Sequence, residues 1–170
     1  DGVAPPDKSV GALHVSAASR AYPCACLPDS DEGSRVADTA VEQASLTHLD
    51  KRVYAAAAVL SDSAGFFLRG NKLDSEEQVR EYVRREHDLA DRIDPRFAEA
   101  WDDVAPDLDY MNPACQLPYS LLNIGHEVNE LVPTAVGIFL IFRHNLEEAI
   151  CHAAVAGGET DPPGIIVGAL

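Results

Sequence analysis

The 170-residue chain carries 28 acidic and 13 basic side chains, a formal net charge of −15, with 46% hydrophobic residues and 6% aromatics. A chain of this length forms one domain and buries a core without needing disulfides. Its acid excess repels nucleic acid and anionic membrane surfaces and favours cations, so no nucleic-acid or membrane partner is expected.

In chain order, the opening to Lys8 contains Pro5-Pro6 and little that is apolar, and reads as loop. Val36, Ala40, Ala44 and Thr47 share one helical face, with Ser34 placed to cap it. Val53, Ala56, Ala57, Leu60, Ala64, Phe67 and Leu68 form a second helix that stops at Gly70-Asn71, and its four alanines, Ala55 to Ala58, allow a close neighbour. Ser75-Glu-Glu-Gln78 has the spacing of a capping box, and Val79, Tyr82, Val83, Ala90 and Ile93 follow as an apolar face. The remainder of that helix is charged in both signs and predicts a solvated outer helix. Asp94-Pro95 opens a short helix through Trp101, whose indole is expected in the outer layer, and Pro106, Pro113 and Pro118 then break the pattern.

Leu131 to Phe142 is apolar nearly all round, too short to span a bilayer, and predicts a buried helix. Pro133 within it requires a first-turn position, so the helix should begin near Asn129. Asn145 is placed to cap a further helix with Leu146, Ala149, Ile150, Ala153 and Ala154 as its face, ended by Gly157-Gly158, and Gly164 to Leu170 opens one more. No alternating strand pattern occurs, so the fold class is all-α, with about six to eight helices. Cys24, Cys26, Cys115 and Cys151 lack zinc-ligand spacing and read as buried free thiols in a reducing, cytoplasmic setting.

Chemistry is most plausible at Gly157-Gly158-Glu159-Thr160-Asp161-Pro162. Two glycines stop a helix, and two carboxylates two residues apart lead into the next one. Taken alone, this is either a helix cap made by Thr160 or Asp161, or an oxygen-rich site for a hard cation. Either way, the carboxylates near a helix N-terminus are favoured in their ionised form.

Ala154 to Leu170, AVAGGETDPPGIIVGAL, resembles the final signature of the ADP-ribosylglycohydrolase family, GGDTDT followed by a small-residue helix. Glu130-Leu-Val-Pro-Thr-Ala-Val136 with Phe139-Leu140 and Leu146-Glu-Glu-Ala149 is similar to the family's ESVPTAL…FL…FEEA stretch, and Ser45-Leu-Thr-His48 to its LTH block. The resemblance implies a compact orthogonal multi-helix bundle. It also implies a hydrolase that uses two divalent ions, magnesium or manganese, to remove ADP-ribose from a modified protein or small molecule. Glu159 and Asp161 stand at the family's metal-binding Asp positions, and Pro162 replaces a metal-binding Thr. By the same resemblance, His48, Gly125 and His126 line the cleft that takes ADP-ribose.

Two departures accompany the match. His14-Val-Ser-Ala-Ala-Ser-Arg20 stands where the family has a GNGxAMR loop, keeping the Arg but not the glycines. The family's early Glu-containing segment and Thr-Asp-Asp block, which would include the catalytic acid, have no counterpart. Residues 1–170 are therefore expected to be the C-terminal portion of a single ADP-ribosylglycohydrolase-like domain. The alternative is a non-catalytic, crystallin-like relative with a degenerate metal site.

Overall fold

Four consecutive alanines set the architecture. Ala55 to Ala58 are fully buried, and with so little side chain in the way, neighbouring helices approach the middle of their helix from several sides. The computed structural model describes residues 13–28, 35–104 and 125–170. Among them are eight α-helices and no strand: α1 (Ser16–Ser19), α2 (Arg35–Ser45), α3 (Lys51–Leu68), α4 (Glu76–Ile93), α5 (Pro95–Val104), α6 (Val128–Ile141), α7 (Leu146–Val155) and α8 (Asp161–Ala169). A 3₁₀ turn, Tyr22–Cys26, follows α1. The all-α expectation holds. The predicted Ser34 cap and the proline-rich stretch at 106–118 lie outside the described residues.

The central helix is α3, against which α1, α2, α4, α5, α6 and the 3₁₀ turn all pack. Its start is capped by Asp50, which accepts the Arg52 backbone N–H at 2.9 Å and is clasped by the Arg52 guanidinium through Nε at 3.0 Å and Nη2 at 2.8 Å. That clasp holds the Asp50 carboxyl at about 2, below the usual carboxylate range, because the Arg52 side chain bonds to its charged form. Asp94 and Arg96 repeat the device at the start of α5, and Arg96 also reaches Asp50 at 3.7 Å. At the other end, α3 runs into Gly70, whose φ of 83° is a left-handed conformation suited to glycine. The capping box before α4 forms as predicted, with the Ser75 side chain accepting from the Gln78 N–H and the Gln78 side chain accepting from the Ser75 N–H.

Several expectations need correction. Helix α6 begins at Val128, one residue earlier than anticipated, so Pro133 lies in its second turn. Lacking an N–H, it leaves the Asn129 carbonyl without its helical donor. Trp101 belongs to the core and not to an outer layer. The charged helix α4 is not simply solvated, because Glu86 is fully buried on its inner face. On α7 only Ala149 and Ala153 are buried, whereas Leu146 and Ile150 are 53% and 38% exposed. The cysteines are free among the described residues, but Cys26 and Cys151 are exposed and Cys24 only half-buried. Cys115 lies outside the described residues.

Candidate functional site

The motif-bearing segments meet around the shortest helix. The carbonyl of Leu13 accepts the Val128 N–H at 2.8 Å, and His14 pairs with Glu127 as an isolated antiparallel bridge. This pairing ties the stretch holding Gly125 and His126 to the segment that leads into α1. The His14 and His126 rings face each other at 6.4 Å, tilted by 34°. Over Gly125 lies the Glu130 carboxylate. A Cβ added at Gly125 would sit 2.1 Å from Glu130 Oε2, so the bare backbone is what lets this carboxylate fold back over the start of α6. The position is favourable for a negative charge, close to the unsatisfied N–H groups of a helix N-terminus.

At its other end α1 is tied to α2. Arg20 donates through Nε to Gln43 Oε1 at 2.6 Å and through Nη2 to Thr47 Oγ1, and Gln43 in turn donates to the Ala17 carbonyl at 3.0 Å. The Thr47 hydroxyl lies 2.9 Å from His48 Nδ1. The Thr47 hydroxyl thus sits between the Arg20 guanidinium, the Ala44 carbonyl at 3.5 Å and the imidazole, and tethers the His48 ring to the α1–α2 contact. The His48 backbone is fixed as well: its N–H donates to Ala44 at 3.1 Å, and its carbonyl accepts from the Tyr54 hydroxyl at 2.7 Å. Sequence reading anticipated His48 but not this network, because Arg20 and Thr47 are joined only by the packing of α1 on α2.

Glu159 and Asp161 lie on the third segment that reaches this region, since α8 packs against α1 as well as against α6 and α7. Gly157 and Gly158 end the preceding helix at φ values of 87° and 70°, where a side chain would be strained. Thr160 occupies the N-cap position of α8 without making a side-chain capping bond, and Asp161 is its first residue. Both carboxylates are exposed. Neither forms a hydrogen bond or ion pair among the described residues, so capping does not consume them. Pro162, second in the helix, contributes no oxygen from its side chain.

A hard divalent ion takes about six oxygen donors, several of them water in the case of magnesium. Glu159 and Asp161 supply suitable donors that are not otherwise engaged. Among the described residues, however, no group of three or more His, Cys, Asp or Glu side chains is gathered closely enough to hold a metal ion. The two carboxylates fit such an ion as part of a ligand set, not as a complete one. No described bond links them to His48 or His126.

Among the described residues, the histidine-, glycine- and carboxylate-bearing segments thus all reach one short helix, α1. The sequence model of the ADP-ribosylglycohydrolase family matches residues 2–170, and the chain belongs to that family. No curated protein matches it. No described helix is long and apolar enough to cross a membrane.

Proposed function

We propose that the protein hydrolyses the bond between ADP-ribose and a modified protein side chain or small molecule, with magnesium or manganese held in part by Glu159 and Asp161. The family match over residues 2–170 carries this reading. It is supported by the meeting, around α1, of the segments bearing His14, His48, Gly125 and His126 with helix α8. When bound, the ion supplies Lewis-acid polarisation of the sugar.

The chain's own residues do the remaining work. Glu159 and Asp161 hold positive charge at the start of α8. Arg20, through Thr47, tethers the ring of His48 beside α1. Gly125 and His126 form the opposite wall, kept in place by the pairing of residues 13–14 with 127–128. Donors beyond these two carboxylates, and the group that moves the proton, come from outside the described residues.

A second reading, a non-catalytic relative, is favoured by one observation: Pro162 removes a hydroxyl where the family has a metal-binding Thr. In the hydrolase reading, ADP-ribose is a ligand of the His48 wall. His48→Ala is therefore expected to weaken ADP-ribose binding about tenfold in calorimetry on the full-length protein, without loss of helical circular dichroism. Unchanged affinity in a folded variant would remove His48 from the site.

A further inference from the structure

His48 lies in the short turn, residues 46–50, that joins α2 to α3. The backbone of the turn is held from both helices. The N–H groups of Thr47 and His48 both donate to the Ala44 carbonyl, at 3.2 and 3.1 Å, which ties the turn to the end of α2. From the first turn of α3, the Tyr54 hydroxyl donates to the His48 carbonyl at 2.7 Å. Tyr54 is half-buried and packed against the core, so its hydroxyl is presented by a ring with little freedom of its own. With its N–H and carbonyl both bonded, His48 has a fixed backbone, and the direction in which its side chain leaves the turn is set.

The ring is held by a chain of side chains that starts at Gln43. Thr47 Oγ1 lies 2.9 Å from His48 Nδ1 and takes the Nη2 donor of Arg20. Arg20 is exposed at the end of α1, and a long guanidinium side chain in that position has many conformations open to it. Gln43, half-buried on α2, removes that freedom. Its Oε1 accepts from Arg20 Nε at 2.6 Å, and its Nε2 donates to the Ala17 carbonyl at 3.0 Å. Only this orientation of the amide satisfies both partners, because a guanidinium cannot accept and a carbonyl cannot donate. The amide therefore braces Arg20 against α1 while Nη2 reaches Thr47.

We propose that Gln43 and Tyr54 are positioning residues that fix the His48 imidazole, Gln43 through Arg20 and Thr47 and Tyr54 through the backbone. Neither has to touch a ligand to affect its binding. The consequence for ADP-ribose rests on the reading of His48 as part of its wall; the fixing of the ring does not. Each bond can be removed with the shape of the side chain largely kept, by Gln43→Met and by Tyr54→Phe.

Two measurements on the full-length protein test this. The first is the NMR spectrum of the histidine rings, in which His48 is identified by the signals lost in His48→Ala. Its ring signals are expected to shift in both Gln43→Met and Tyr54→Phe, while helical circular dichroism stays that of the parent protein. The second is calorimetric titration with ADP-ribose. Each variant is expected to weaken binding about fivefold, and in a His48→Ala background neither is expected to change it by more than about twofold, because both act through that ring. His48 signals that stay in place in either variant, or a fivefold loss that persists without His48, would overturn the proposal. A parent protein without affinity for ADP-ribose, whose His48 signals still move in both variants, would count against the hydrolase reading and uphold the positioning of the ring.

Discussion

Replacing Arg85 by Ala is expected to destabilise the protein by about 3 kcal/mol at pH 9 and by markedly less at pH 5, as read from urea unfolding. Glu86, on the inner face of α4, is completely buried, and its Oε1 accepts from Arg85 Nη2 at 2.6 Å while Oε2 has no hydrogen-bond partner among the described residues. Arg85 also pairs with Asp62 and lies over the Phe66 ring at 4.5 Å from its centre. Removing it strands a carboxylate in the core. The penalty belongs at the lower end of the range for broken buried pairs, because the Arg85 side chain is itself 36% exposed.

The pH dependence has a definite sign. Burial pushes the Glu86 carboxyl from an ordinary 4.5 up to about 8; Arg85 opposes the shift and Asp62 adds to it. Between these values the folded protein keeps a proton that the unfolded chain has released. The contribution of Glu86 to stability is therefore greatest below pH 4.5, falls as pH rises toward about 8, and is level above it. Glu86→Gln removes this slope, so its stability relative to the parent protein is expected to rise through the same window. An Arg85→Ala penalty that is the same at pH 5 and pH 9 would contradict the assignment.

The largest functional effect is expected at the α8 carboxylates. Glu159→Gln and Asp161→Asn keep shape and one oxygen but remove the charge that attracts a hard cation. Each is expected to weaken manganese binding to the full-length protein at least about tenfold, and the double variant to lower the rate of ADP-ribose release by about 100-fold or more. Folding is expected to change by less than about 0.5 kcal/mol, because both side chains are exposed and without partners among the described residues. Pro162→Thr restores a hydroxyl at the second position of α8 and is expected to tighten manganese binding. Single variants that bind the ion like the parent protein, with no gain from Pro162→Thr, would favour the non-catalytic relative.

Helix limits were legible wherever a local device sets them: the Ser75–Gln78 capping box, Gly70 after α3, and the Gly157-Gly158 pair after α7. The buried helix α6 was legible because it is apolar on every side. Glu86 was obscured by its charged neighbours, although it falls four residues after Tyr82 and four before Ala90, in phase with the inward face. The candidate site was legible only as separate pieces. Nothing local in the sequence announces that residues 13–14 pair with 127–128, or that Arg20 reaches Thr47, because both contacts depend on how helices pack. Pro133 was misplaced by treating its missing N–H as decisive, whereas the helix accepts it in the second turn.

The most direct measurement of the central claim is ADP-ribose release by the full-length protein, with magnesium or manganese added, from arginine-linked, serine-linked and acetyl-ester-linked ADP-ribose. The account predicts metal-stimulated release from at least one of these, strongly reduced in the Glu159→Gln/Asp161→Asn double variant. No release from any of them, or release indifferent to both the metal and the double variant, would contradict it.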